Sequence, residues 1–85
     1  MSLKDTINFE VGCFLRENRL RTHADIDLAE KFIGYALSEI EDGKKSIACC
    51  DIVRLSDFYQ TPRSQISDWF FNLQMKIQKE RSKFT

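Results

Sequence analysis

The chain has one proline, three glycines and one histidine in 85 residues. So few breakers leave little room for long loops. A single histidine gives no basis for a Ser–His–Asp or Cys–His pairing, and no glycine-rich phosphate loop or paired-carboxylate motif appears. Cysteine is equally limited. Cys13, Cys49 and Cys50 make an odd count with no C-x-x-C spacing, which argues against both a disulfide framework and a zinc site. Adjacent Cys49 and Cys50 cannot easily bridge each other, so all three are expected as small buried or half-buried hydrophobes in a reducing cytosol. No run of about 18 apolar residues exists, so no membrane-spanning helix is expected. The N-terminal MSLKDTINFE lacks the basic and apolar stretches of a secretory signal. No enzyme, metal or cofactor is expected, and the expected location is cytoplasmic: nucleoid-associated in a bacterium, nuclear in a eukaryote.

Net charge is also missing, but only on average. Residues 1–43 hold five Lys/Arg against nine Asp/Glu, whereas residues 44–85 hold eight against four. An acidic half joined to a basic half points to an anionic partner for the second half alone.

What is present is helical periodicity. No segment alternates like a half-buried strand, and no hairpin dipeptide occurs. A chain of this length makes one domain, and the pattern predicts a small all-α, four-helix domain. The first helix runs from about Lys4 to Leu20, with Ile7, Val11, Phe14 and Leu15 as one stripe. Gly12 weakens its middle. The second follows RTHAD, with Thr22 or Asp25 as N-cap. It carries Ile26, Ala29, Ile33, Ala36, Leu37 and Ile40 on one stripe, Leu28, Phe32 and Tyr35 on the next, and stops at Gly43. These two helices hold more apolar surface than one face can bury. They are therefore expected at the centre of the fold or, by preference, at a homodimer interface formed by residues 1–43.

The third helix starts at Ser46 as N-cap and ends near Phe58 or Tyr59. The fourth starts at Thr61-Pro62 and continues to about Ser82. Only residues 59–61 join them, the geometry of a helix-turn-helix. Ile66, Trp69, Phe70, Leu73 and Ile77 follow helical spacing and should face the core. The opposite face then carries Arg63, Ser64, Ser67, Asp68, Phe71, Asn72, Met75, Gln78 and Lys79, with Lys76, Arg81 and Lys83 as further cations.

The stretch IVRLSDFYQTPRSQISDW resembles prokaryotic helix-turn-helix regulators. It departs from them at Gln60, where that family usually has glycine in the turn. QISDWFFNLQMKIQKE is similar to the third helix of a homeodomain. Gln65, Ile66, Trp69, Phe70, Asn72 and Lys76 match that family's pattern, while Leu73 and Gln74 stand where it often has basic residues. These resemblances imply that residues 44–85 form a homeodomain-like helix-turn-helix unit. They imply a major-groove recognition helix over residues 62–82, with Asn72 on an adenine. Arg63, Ser64, Ser67, Asp68, Phe71, Asn72, Met75, Lys76 and Lys79 become candidate contacts to double-stranded DNA. The expected function is transcriptional regulation by sequence-specific DNA binding. Asp68 would repel phosphate unless it accepts from a cytosine amino group. It therefore keeps an alternative open, together with exposed Phe71 and Met75: an inhibitor or adaptor that binds a protein partner through that face.

Overall fold

The computed structural model describes the backbone of residues 2–82 and the side chains of residues 2–79. Arg81 and Lys83, expected as phosphate contacts, have side chains outside that range. All regular structure among the described residues is helical: α1 (Leu3–Arg21), α2 (Ile26–Ile33), α3 (Ser38–Glu41), α4 (Cys49–Phe58) and α5 (Arg63–Ser82). The chain is a small all-α domain, and none of these helices is long and apolar enough to cross a membrane.

The first helix begins where a capping box closes. The Ser2 hydroxyl accepts from the Asp5 N–H at 3.2 Å, and the Asp5 carboxylate accepts from the Ser2 N–H at 3.4 Å, so two otherwise orphaned donors are satisfied. Val11 and Leu15 of α1 then enter a core with Ala29, Ile33, Leu37, Ile40, Ile52, Leu55 and Tyr59. The α5 helix lies against α1. Trp69 stacks on Phe14 with ring centroids 4.3 Å apart, and Lys76 Nζ reaches Glu10 at 3.0 Å. Ile66 and Leu73 are buried, while Trp69, Phe70 and Ile77 are half-buried. The apolar stripe read from the sequence is therefore the inward face, but its aromatic members sit at the rim.

Two expectations about helix limits are corrected. The single second helix is broken: α2 stops at Gly34, whose φ is +94°, and α3 begins four residues later. The break is held from inside. The Gly34 N–H donates to the Glu30 carbonyl at 2.8 Å, and the Glu30 carboxylate accepts from the Leu37 N–H at 2.6 Å, which sends Leu37 into the core. Ser46 is not the N-cap of the next helix. Its hydroxyl donates to Asn8 Oδ1 at 3.0 Å, and Ala48 holds the cap position without a side-chain bond. Gly43 does act as a stop, at the end of α3, with φ of +79°.

Three helix ends share one hydrogen-bond pattern. After α1 the Ala24 N–H reaches the Arg19 carbonyl and His23 reaches Leu20. After α3 the pairs are Lys44 to Glu39 and Gly43 to Ile40. After α4 they are Thr61 to Ser56 and Gln60 to Asp57. This is the Schellman motif, which needs a left-handed residue at its centre. Glycine fills it once; His23 and Gln60 fill it at φ of 57° and 58°. Gln60 thus accepts the left-handed backbone that a glycine would adopt without strain.

Gly12 has a stricter role than a weak spot in a helix. A Cβ there would lie 2.5 Å from the Ile40 carbonyl oxygen and 2.6 Å from that of Glu41, so α1 and α3 touch through backbone. Substitutions at the two positions should therefore act with opposite signs. Gly12→Ala should cost about 1–3 kcal/mol through overpacking, despite alanine's better helix propensity. Gln60→Gly should gain about 1 kcal/mol by relieving the left-handed strain. Urea unfolding of both variants checks this, and a stabilised Gly12→Ala would contradict the close crossing.

Candidate nucleic-acid interface

Two pairs of consecutive helices are joined by short turns in this fold, α2–α3 and α4–α5. In α4–turn–α5, the unit expected from the sequence, Arg63, Ser64, Ser67, Asp68, Phe71, Asn72, Met75, Lys76 and Lys79 are all exposed. The structure brings these residues onto one long helix, but their surroundings differ. Lys76 is tied to Glu10 across the α1–α5 contact. At the mouth of the turn, Arg21 donates to the Thr61 hydroxyl at 3.3 Å. Phe71 and Met75 form an apolar island, 65% and 50% exposed.

The second unit, α2–turn–α3, was hidden by the assumption of one continuous helix. Its turn, residues 34–37, holds a glycine in the left-handed conformation, as a tight helix–helix turn favours. Its second helix is only four residues long, so packing rather than propensity must hold it. The clamp is an ion pair. Arg19, in the last turn of α1, donates Nε and Nη2 to the two oxygens of Glu41 at 2.8 and 2.9 Å. Glu41 is 4% exposed. Arg16 reaches the same carboxylate at 3.5 Å and Asp42 at 2.6 Å. The hydrogen bond to Glu41 raises the affinity of Arg19 for its proton, and the bond to Asp42 does the same for Arg16.

Held this way, the turn and α3 expose Tyr35, Ala36, Ser38 and Glu39. Tyr35 Oη donates to Asp51 on α4 at 2.7 Å, and Lys45 pairs with Glu39 at 3.0 Å. Lys31 on α2 and Lys44 after α3 make no ion pair among the described residues. The segment therefore carries Lys31 and Lys44 as exposed cations among the exposed acids Asp25, Asp27, Glu39 and Asp42. The sequence signal was available in Gly34, since an interior glycine in an apolar helical stripe is itself a reason to look for a break.

Comparison of the chain with protein-family models, with curated proteins and with solved structures found no match.

The clamp has a neighbour under tension. Tyr59 is 1% exposed, and its hydroxyl has no hydrogen-bond partner among the described residues. Burial, reinforced by the charge of Glu41 and opposed by Arg19, raises its pKa to about 12. An acid whose folded pKa lies above its unfolded value of about 10 loses stability only as pH rises past that unfolded value. Folding stability should thus fall between pH of about 10 and 12, and Tyr59→Phe should reduce that fall but not abolish it, because burial and the bond to Asp51 also raise the pKa of Tyr35, while leaving neutral-pH stability unchanged or up to about 1 kcal/mol higher. Chemical denaturation as a function of pH measures both. The clamp itself is tested by Arg19→Met, which strands a buried carboxylate and should cost about 3 kcal/mol or more. Lys45→Ala, which breaks an exposed pair, should cost under about 1 kcal/mol. Equal losses in the two variants would show that the Arg19–Glu41 pair is not a clamp.

Proposed function

We propose that this chain is a DNA-binding regulator of the helix-turn-helix kind, and that α2–turn–α3 is its reading unit. The observation that carries the proposal is the left-handed Gly34 turn leading into a helix clamped on α1 by Arg19 and Glu41. DNA-reading helix-turn-helix units place the start of their second helix against base edges. Here that start presents Ser38, which can bond either purine or pyrimidine edges, and Glu39, which would have to exchange its pairing with Lys45 to accept from a cytosine amino group. This puts the reading unit in the acidic half of the chain, against the expectation drawn from the charge split; Lys31 and Lys44, without an ion pair among the described residues, are its cations for phosphate, and phosphate contacts supply position rather than sequence. A near-neutral chain binding through two or three cations has a shallow salt dependence.

A second reading keeps α5 as the recognition helix. Its support is that Arg63, Ser64, Ser67 and Asn72 are all exposed on one long helix. Against it stand Asp68, the exposed Phe71 and Met75, and the engagement of Lys76 by Glu10. The protein-binding alternative rests on the same apolar island.

Duplexes selected from a random pool by the full chain separate these readings. Binding should weaken as salt rises. Lys31→Ala and Lys44→Ala should each lower affinity evenly across sequences and reduce the salt slope by about 1. Ser38→Ala should cost about 1–3 kcal/mol and relax one position of the selected site, while Arg63→Ala and Asn72→Ala leave the site unchanged. The opposite pattern would move the reading helix to α5, and no selection even at low salt would leave the protein-binding alternative.

A further inference from the structure

The α5 helix is twenty residues long, yet its outward face is not that of a purely solvated helix. Phe71 and Met75 lie near its middle, two positions on either side of buried Leu73. At 3.6 residues per turn they fall close together on the line opposite Leu73. Asp68 lies five positions before Leu73 and Lys79 six after it, both on the same flank of that line. Neither makes an ion pair among the described residues.

We propose that this face of α5 binds a second copy of the chain, the two helices pairing antiparallel about a two-fold axis level with Leu73. Such an axis is perpendicular to the helices. It reverses their direction but keeps each flank on its own side. Phe71 then stands level with the partner subunit's Met75, and Met75 with the partner subunit's Phe71. Asp68 faces the partner subunit's Lys79 on the shared flank, and the symmetry makes that pair twice. The one-residue mismatch in level is about 1.5 Å, well within the reach of a lysine. An isologous interface needs a patch complementary to itself, and here apolar centre and opposite charges meet that need together.

The exposed residues on α2 form a weaker candidate. Phe32 already stacks on Phe58 at 4.9 Å and lies under the Arg54 guanidinium, so part of that surface is covered within the chain. The dimer does not depend on DNA binding, but it does exclude α5 from the groove.

Sedimentation of the full chain in DNA-free buffer tests the pairing. The wild type should be a concentration-dependent dimer. Phe71→Glu should raise the dissociation constant at least about tenfold while retaining native helicity by circular dichroism, since the side chain is mostly in solvent. Asp68→Lys should also weaken the dimer, and Asp68→Lys with Lys79→Asp should restore it. A wild-type monomer at high concentration would overturn the proposal. So would a double swap no better than Asp68→Lys alone, or a dimer broken by Leu28→Glu and unaffected by Phe71→Glu.

Discussion

A buried carboxylate needs a partner that satisfies both oxygens, and Glu41 finds it in the planar fork of Arg19. The geometry of that fork fixes both distance and direction. The pair therefore sets how α3 lies on α1, and α3 could not set this for itself: four residues are too few to repay helix nucleation. Gly12 makes the contact possible by letting the Ile40 and Glu41 carbonyls approach the α1 backbone. Leu37 and Ile40 then bury beside it. Remove the ion pair and the remaining contacts must hold a short element whose strongest polar group has lost its counter-charge. The exposed residues of the 34–37 turn and of α3 take their positions from this one arrangement.

The rest of the fold is organised by its helix ends. With so few glycines, the chain still reverses direction after four successive helices, and each of those ends contains a left-handed residue. His23 and Gln60 adopt that conformation without glycine's freedom, so some stability is surrendered at the turns following α1 and α4. The ends are nevertheless well bonded, because the Schellman pattern satisfies carbonyls that a helix terminus leaves open. Such ends make sharp, defined turns. They allow five helices to enclose a core of modest size with few residues spent on connection.

Much of this was legible before the structure. The all-helical class followed from periodicity. The first helix, the start of the last helix and the inward stripe of Ile66 and Leu73 followed from spacing. What misled was the second helix. Its apolar residues continue in register through Gly34, because Leu37 and Ile40 enter the same core as Ile33 by a different route. A stripe reports which residues are buried, not whether the backbone between them is continuous. Ser46 misled in a similar way: a residue with good capping chemistry spends its hydroxyl on Asn8 instead. The Arg19–Glu41 pair joins residues 22 positions apart, and no local pattern marks such a contact. Of the candidate surface, the exposure of the α5 face could be read directly, whereas the α2–α3 unit became visible only once the helix was seen to break.

The two uses of α5 cannot coexist, and the charge pattern helps decide between them. A recognition helix is favoured by uncompensated cations along the face that meets phosphate. In α5 Lys76 is turned toward α1 and occupied by Glu10, and the middle of the exposed face carries Phe71 and Met75. That distribution suits a surface whose counterpart carries the same apolar centre and the opposite charges in reverse order, as a second α5 does. A dimer built there would leave both α2–α3 units free and related by a two-fold axis. A target read by such a pair would be made of two half-sites in inverted order, with their spacing set by the dimer geometry. The apolar island on α5 and the glycine turn on α2–α3 would then belong to one scheme, in which the first would fix the symmetry and the second would meet the bases.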